Sequence, residues 1–174
     1  KGEIVPCLAE SWENSQDKLT WTFKIREGVK FSNGEEMTPE LVKASLERTF
    51  SLSDRAETFF APASIETEGQ NLKITTKEPV AVLPGSLADP LFLIVDANAD
   101  TESFAMSGPI CTGPYAVESF SPTDSCVVVK NEYYWGGEVP LEKVVLKCID
   151  DQTTRSMALQ TGEIQIAYNL KTEN

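Results

Sequence analysis

The sequence contains no histidine. That absence removes the side chain most used as a general base near neutral pH and the commonest metal ligand, so nucleophile–histidine pairs and histidine-held metal centres are excluded. Cysteine is scarce too. Cys7, Cys111, Cys126 and Cys148 show no Cys-x-x-Cys spacing, and a tetrahedral zinc site would have to be assembled from scattered thiols. There is no Gly-x-Ser-x-Gly elbow and no glycine-rich phosphate loop. No run of about 18 apolar residues appears, so no segment is long enough to cross a bilayer as a helix. Positive charge is in deficit, with 15 Lys and Arg against 27 Asp and Glu. A formal net charge of -12 repels phosphate backbones and anionic lipid, which argues against nucleic-acid and membrane-surface partners. These residues carry no visible catalytic machinery, and no internal repeat or low-complexity linker interrupts them.

What is present reads as a mixed α/β chain. Its 174 residues, 41% of them hydrophobic, suffice for one real core or two small ones. Residues 8–14 read as a strand. Leu19, Trp21, Phe23 and Ile25 alternate with polar neighbours as a second, and the short polar link between them places Trp12 near Trp21 or Phe23, facing a core. Glu27-Gly28 and Asn33-Gly34 are turn pairs around Val29 and Phe31. Thr38-Pro39-Glu40 starts a helix: threonine caps, proline fits the first turn, and the acid suits the positive end of the dipole. Leu41, Val42, Leu46 and Phe50 then share one face, which predicts a helix lying on a sheet.

The middle of the chain is polar and aromatic. Arg55 lies close to Phe59 and Phe60; a guanidinium beside exposed rings can hold an anionic or aromatic ligand, while a loop plugging its own rings into a core is commoner, so at least one phenylalanine is assigned to the core. Ile65, Leu72, Ile74 and Thr76 predict a hairpin turning at residues 68–71. Residues 91–95 read as an apolar strand begun by Asp89-Pro90, and residues 96–100 as a polar loop whose acids fit no calcium-loop spacing.

The last third is the most ordered stretch. Gly113-Pro114 fixes the backbone before a hairpin of residues 116–120 and 126–130. An aromatic knot, Asn131-Glu-Tyr-Tyr-Trp-Gly-Gly137, follows. Residues 144–149 read as a strand buried on both faces, and Cys126 and Cys148, inside strands, as buried thiols. Asp150 and Asp151 cap a helix over 153–161 that Gly162 ends. Ile164, Ile166 and Tyr168 alternate as a further strand, so a right-handed parallel crossover is expected.

Thr112-Gly-Pro-Tyr115, Lys130-Asn-Glu-Tyr-Tyr-Trp-Gly136, and Asp150-Asp-Gln-Thr-Thr-Arg155 through Gly162-Glu-Ile-Gln-Ile166 resemble the peptide/nickel class of extracytoplasmic substrate-binding proteins of ABC transporters. The resemblance extends to Leu8-Ala-Glu-Ser-Trp12, to Trp21-Thr-Phe23 and to Lys30-Phe-Ser-Asn-Gly34, and is nearest to the nickel-binding branch. It implies a class II periplasmic-binding-protein-like α/β fold, of which this chain would be most of the first lobe. Residues 8–110 would form a smaller subdomain and 111–174 part of the larger one, with the second lobe absent. It further implies a non-enzymatic solute-binding component of an ABC importer, capturing a nickel chelate or short peptide and delivering it to a membrane permease. Such proteins work in the periplasm or as lipoproteins at the cell surface. No cofactor is implied, and nickel would enter only as transported ligand. An alternative that composition permits is a non-catalytic extracellular scaffold or interaction domain. Carried over residue by residue, the resemblance sets Arg55 at one ligand-binding arginine of the branch and Phe59, or Thr58, at its tryptophan. Asp89 falls where a second arginine stands, reversing the charge. The ligand this implies carries both signs, whereas an Asp89 that only capped its turn would carry no such meaning.

Overall fold

The computed structural model describes residues 2–170. β1 (Ala9–Asn14) and β2 (Thr20–Ile25) form an antiparallel hairpin in which Trp12 stands opposite Phe23. α1 (Pro39–Leu52) starts as its sequence predicts, with the Thr38 hydroxyl accepting from the Leu41 amide and Pro39 in the first turn. A 3₁₀ helix, Asp54–Thr58, leads to β3 (Pro62–Glu68) and β4 (Asn71–Thr76), which turn back at Gly69 in the left-handed region. The sheet order is β1-β2-β4-β3, so β4 pairs with both β2 and β3. Val42 and Leu46 on α1 pack with Phe23, Ile25, Leu72 and Ile74 from the sheet, and Val29 and Phe31 close the layer. Each such side chain taken out of water contributes about 1.5–3 kcal/mol before entropy is counted.

Residues 83–107 wrap this core in short pieces: α2 (Leu83–Leu87), a 3₁₀ helix at Pro90–Phe92, and α3 (Phe104–Ser107). The strand expected over 91–95 does not form. Asp89 accepts from the Leu91 amide and Pro90 sits in the first turn, which closes the backbone into a tight helical turn; only Val95 is extended enough to bridge, to Cys111. Phe92 is thereby turned inward onto Phe50, Phe59 and Phe60, and Phe60 is the core phenylalanine of its pair.

A second sheet follows, β5 (Tyr115–Phe120), β6 (Ser125–Lys130) and β7 (Lys143–Lys147), antiparallel in that order. Buried Asn131 joins its ends: the side-chain amide donates to the Gly113 carbonyl at 2.8 Å while its oxygen accepts from the Tyr133 amide at 3.0 Å. α4 (Gln152–Gln160) is capped by Asp151 and followed by Gly162 at a φ of 77°. Three expectations fail in this sheet. β7 is not buried on both faces, since Val145 and Leu146 are exposed. Cys148, just past its end, is exposed, and Cys126 only half-buried. Residues 161–170 form turns, with no strand over 164–168 and no parallel crossover. The reason is common to all three: no described element covers β7 or pairs with its outer edge, and Arg155 ties the returning chain to the α4 end, donating to the carbonyls of Ile149 and Asn169.

The sheets meet at the Asn33-Gly34 turn. Ser32 donates to the Cys111 carbonyl at 2.9 Å, and Asn33 donates to the buried carboxylate of Asp96 at 2.7 Å. Gly34, at a φ of 90°, lies against the Tyr133 ring, where an added Cβ would approach within 3.0 Å. The Arg26 guanidinium stacks 4.8 Å from the Trp135 ring centroid, a cation–π contact that extends the junction.

Candidate functional site

Arg55, Phe59 and Asp89 come together, although up to 34 residues separate them in the chain. The 3₁₀ helix Asp54–Thr58 presents Arg55 on its outer side, and Phe59 caps that helix. Arg55 Cζ lies 5.5 Å from the Phe59 ring centroid, and the ring is set edge-on against Phe92 at 5.5 Å. Arg55 Nη2 stands 3.9 Å from Asp89 Oδ2, with side-chain exposures of 67% and 29%. A pair this long and this wet contributes at most about 1 kcal/mol, so a ligand can replace it at small cost.

Asp89 serves two ends at once. Its Oδ1 accepts from the Leu91 amide at 2.9 Å, the turn-capping role, while Oδ2 is the atom turned toward Arg55. The result is a cation, an aromatic face and an anion set side by side on two short 3₁₀ helices and their caps. Such a set can grip a carboxylate with one end and an ammonium or cationic group with the other.

Beside the trio runs a groove of about 410 Å³ that sequence reasoning did not foresee. Asp89 and Pro90 stand on its lining, with Trp12, Leu46, Leu72, Leu87 and Phe92 as apolar walls. The only sequence signal for it is Trp12, placed by strand alternation on the same face as Phe23. Another hollow, about 440 Å³, is lined by Lys43, Glu66, Thr67, Glu68 and Lys73 and shares no residue with the trio. Among the described residues no three His, Cys, Asp or Glu side chains group to hold a metal ion. Asp96, in the acidic loop, instead accepts from Asn33 and from the Asn98 amide and braces the junction of the sheets.

The α/β architecture is shared with class II periplasmic binding proteins. The chain belongs to the bacterial extracellular solute-binding proteins, family 5, whose middle region it matches over residues 3–174. It is 33% identical over 175 residues to the nickel-binding periplasmic protein of Escherichia coli K12, covering 96% of this chain and 33% of that protein. It is also 33% identical over 173 residues to the glutathione-binding protein GsiB of the same strain, covering 95% of this chain and 34% of that one. A crystal structure of a nickel ABC transporter protein from Bacillus halodurans superposes with a TM-score of 0.84 at 41% identity, over 91% of this chain and 32% of that one. The chain thus spans about a third of the length of the curated relatives it matches.

Proposed function

We propose that the protein to which these residues belong is the solute receptor of an ABC importer, working outside the cytoplasmic membrane, in the periplasm or as a surface lipoprotein, and handing its ligand to a membrane permease. Arg55, Phe59 and Asp89 supply one side of the ligand site. The ligand carries both signs of charge, as a short peptide does. The observation that carries this reading is the 3.9 Å approach of Arg55 and Asp89 beside the Phe59 ring, two opposite charges held within reach of one small molecule. Relatives named for nickel and for glutathione support the wider class, and glutathione itself bears an ammonium group and carboxylates. A second reading, a metal chelate, is favoured by the 41% identity to the Bacillus halodurans nickel protein; here Asp89 selects a chelate less negative than two arginines would take.

The test is calorimetry on the full-length protein with alanyl-alanine, glutathione and nickel–histidine, comparing wild type with Asp89→Ala and Asp89→Arg. Peptide affinity is expected to fall about tenfold or more in Asp89→Arg, near 1.4 kcal/mol, while nickel–histidine, which carries carboxylate arms and no free ammonium group, binds no worse. Affinities within about twofold for both variants and every ligand would leave Asp89 with its turn-capping role alone.

A further inference from the structure

We infer that Asn33 is a deamidation site that the fold holds closed, and that its conversion to aspartate opens the junction between the two sheets. Asn33-Gly34 is the only Asn-Gly pair in the sequence. Glycine has no Cβ, so its backbone nitrogen can swing onto the preceding side-chain carbonyl with little steric resistance. In that reaction the Gly34 amide gives its proton to hydroxide and its nitrogen attacks Asn33 Cγ. The Cγ–Nδ2 bond then breaks, ammonia leaves with a proton taken from water, hydroxide is regenerated and a cyclic imide remains. Water opens that ring, at Cγ to give aspartate or at the backbone carbonyl carbon to give isoaspartate. The net change is water consumed and ammonia released.

Three hydrogen bonds oppose the first step. The Gly34 amide donates to the Phe31 carbonyl at 2.9 Å, the Asn33 side-chain nitrogen donates to Asp96 at 2.7 Å, and the Asn33 side-chain oxygen accepts from the Glu35 amide at 3.1 Å. The nitrogen and the carbon that must meet are each held elsewhere, and Gly34 lies against the Tyr133 ring, which leaves the turn little room to swing. Cyclisation therefore waits for a local opening of the junction. Once the amide is gone the lock does not re-form. A carboxylate oxygen replaces the donor and faces the Asp96 carboxylate, which is 2% exposed and forms no ion pair among the described residues. Like charges that close cannot both stay ionised, so the pair takes up a proton or parts. Parting loosens the neighbouring tie, the Ser32 amide on the Cys111 carbonyl, which joins the two sheets. Asn131 is buried and hydrogen-bonded as well, but Glu132 follows it and hinders ring closure.

The experiment incubates the full-length protein in mildly alkaline buffer, folded and in urea, and follows the Asn33 peptide by mass spectrometry after digestion, with Asn131 as reference. In urea Asn33 is expected to convert well ahead of Asn131. Folded, it should convert at least about tenfold slower than in urea, the factor that an opening free energy of about 1.4 kcal/mol supplies. A folded rate equal to the urea rate would overturn the lock. The consequence is read by hydrogen exchange in Asn33→Asp, beside Asn33→Ser, which loses the amide without adding charge. Protection of the Ser32 amide should fall about tenfold or more in Asn33→Asp and by less in Asn33→Ser. Asn33→Asp combined with Asp96→Asn restores a donor and an acceptor with their places exchanged, so protection should return to within about threefold of wild type. If Asn33→Asp alone does not fold, rescue of folding by the second substitution reads the same contact. Wild-type protection in Asn33→Asp would overturn the opening, and a double variant no better than Asn33→Asp would show that the new charge does not meet Asp96.

Discussion

β4 and β7 are written in the same chemistry, short runs of β-branched and aliphatic residues, yet Ile74 in β4 is fully buried whereas Val145 in β7 is 50% exposed. The difference lies in what covers them. β4 is central in its sheet, paired on both edges and overlaid by α1, while β7 is an edge strand that no described element overlies. The first sheet is therefore held by buried apolar area, and the second by backbone ladders, the Asn131 clamp and local caps. Apolar sequence makes a strand available; only a covering partner makes it stabilising.

The sharpest way to break this comparison is a pair of truncations in the 174-residue chain. Ile74→Ala removes packing from a filled core and should cost roughly 2–5 kcal/mol in chemical denaturation. Val145→Ala should stay within about 0.5 kcal/mol, as surface changes do. Equal costs would mean that β7 is covered and that the contrast between the sheets is false.

Thiol chemistry sharpens the same contrast at a smaller scale. Cys111 sits at the junction under the first core, and burial pushes its thiol up to about 11. Cys7 and Cys148 are exposed. At pH 8 the thiolate fraction of Cys111 is about a hundredfold below that of an ordinary thiol, so alkylation should take Cys7 and Cys148 first, Cys126 next, and Cys111 slower than the exposed pair by at least that factor. Mass spectrometry of a labelling time course reads the order directly; early modification of Cys111 would show the junction open.

These residues also mark where sequence was legible and where it was not. The alternation of Trp21, Phe23 and Ile25 and the Thr38-Pro39 start of α1 are local signals, and local hydrogen bonds and strand pairing realise them as read. The strand expected over 144–149 forms as β7 but is not buried on both faces, because an apolar run reports affinity for a cover and not the presence of one. Ile164, Ile166 and Tyr168 alternate correctly and still form no strand, since alternation without a ladder partner leaves backbone amides to water. At the candidate site, Asp89-Pro90 signalled its own turn, and the turn formed, at the expense of the strand drawn after it. The approach of Asp89 to Arg55 lay beyond any local rule, because it depends on how α2 and the following turn pack against the 3₁₀ helix at residues 54–58.

The smallest effect separates packing from capping. Asp151 accepts from the Thr154 amide and the Thr154 hydroxyl, both at 2.7 Å, and these hydrogen bonds, the amide first, hold its carboxyl below the usual carboxylate range. Because the folded value lies below the unfolded one, the cap's contribution is fully present above about pH 4 and is lost as pH falls through the lower, folded value. Glu163, held low by its hydrogen bond and charge pairing with Lys147, titrates in the same direction and joins β7 to the end of α4. The start of α4 should therefore loosen in acid before the first sheet does, seen as lower amide protection factors at Thr154 and Arg155 while the amides of β2 and β4 stay protected. Asp151→Asn keeps an acceptor for the Thr154 amide but cannot titrate, so it should flatten the acid dependence at Thr154 and leave any Glu163 contribution in place. An unchanged acid step at Thr154 in that variant would mean that α4 is held by packing after all, and that the two halves of the molecule are stabilised more alike than their burial suggests.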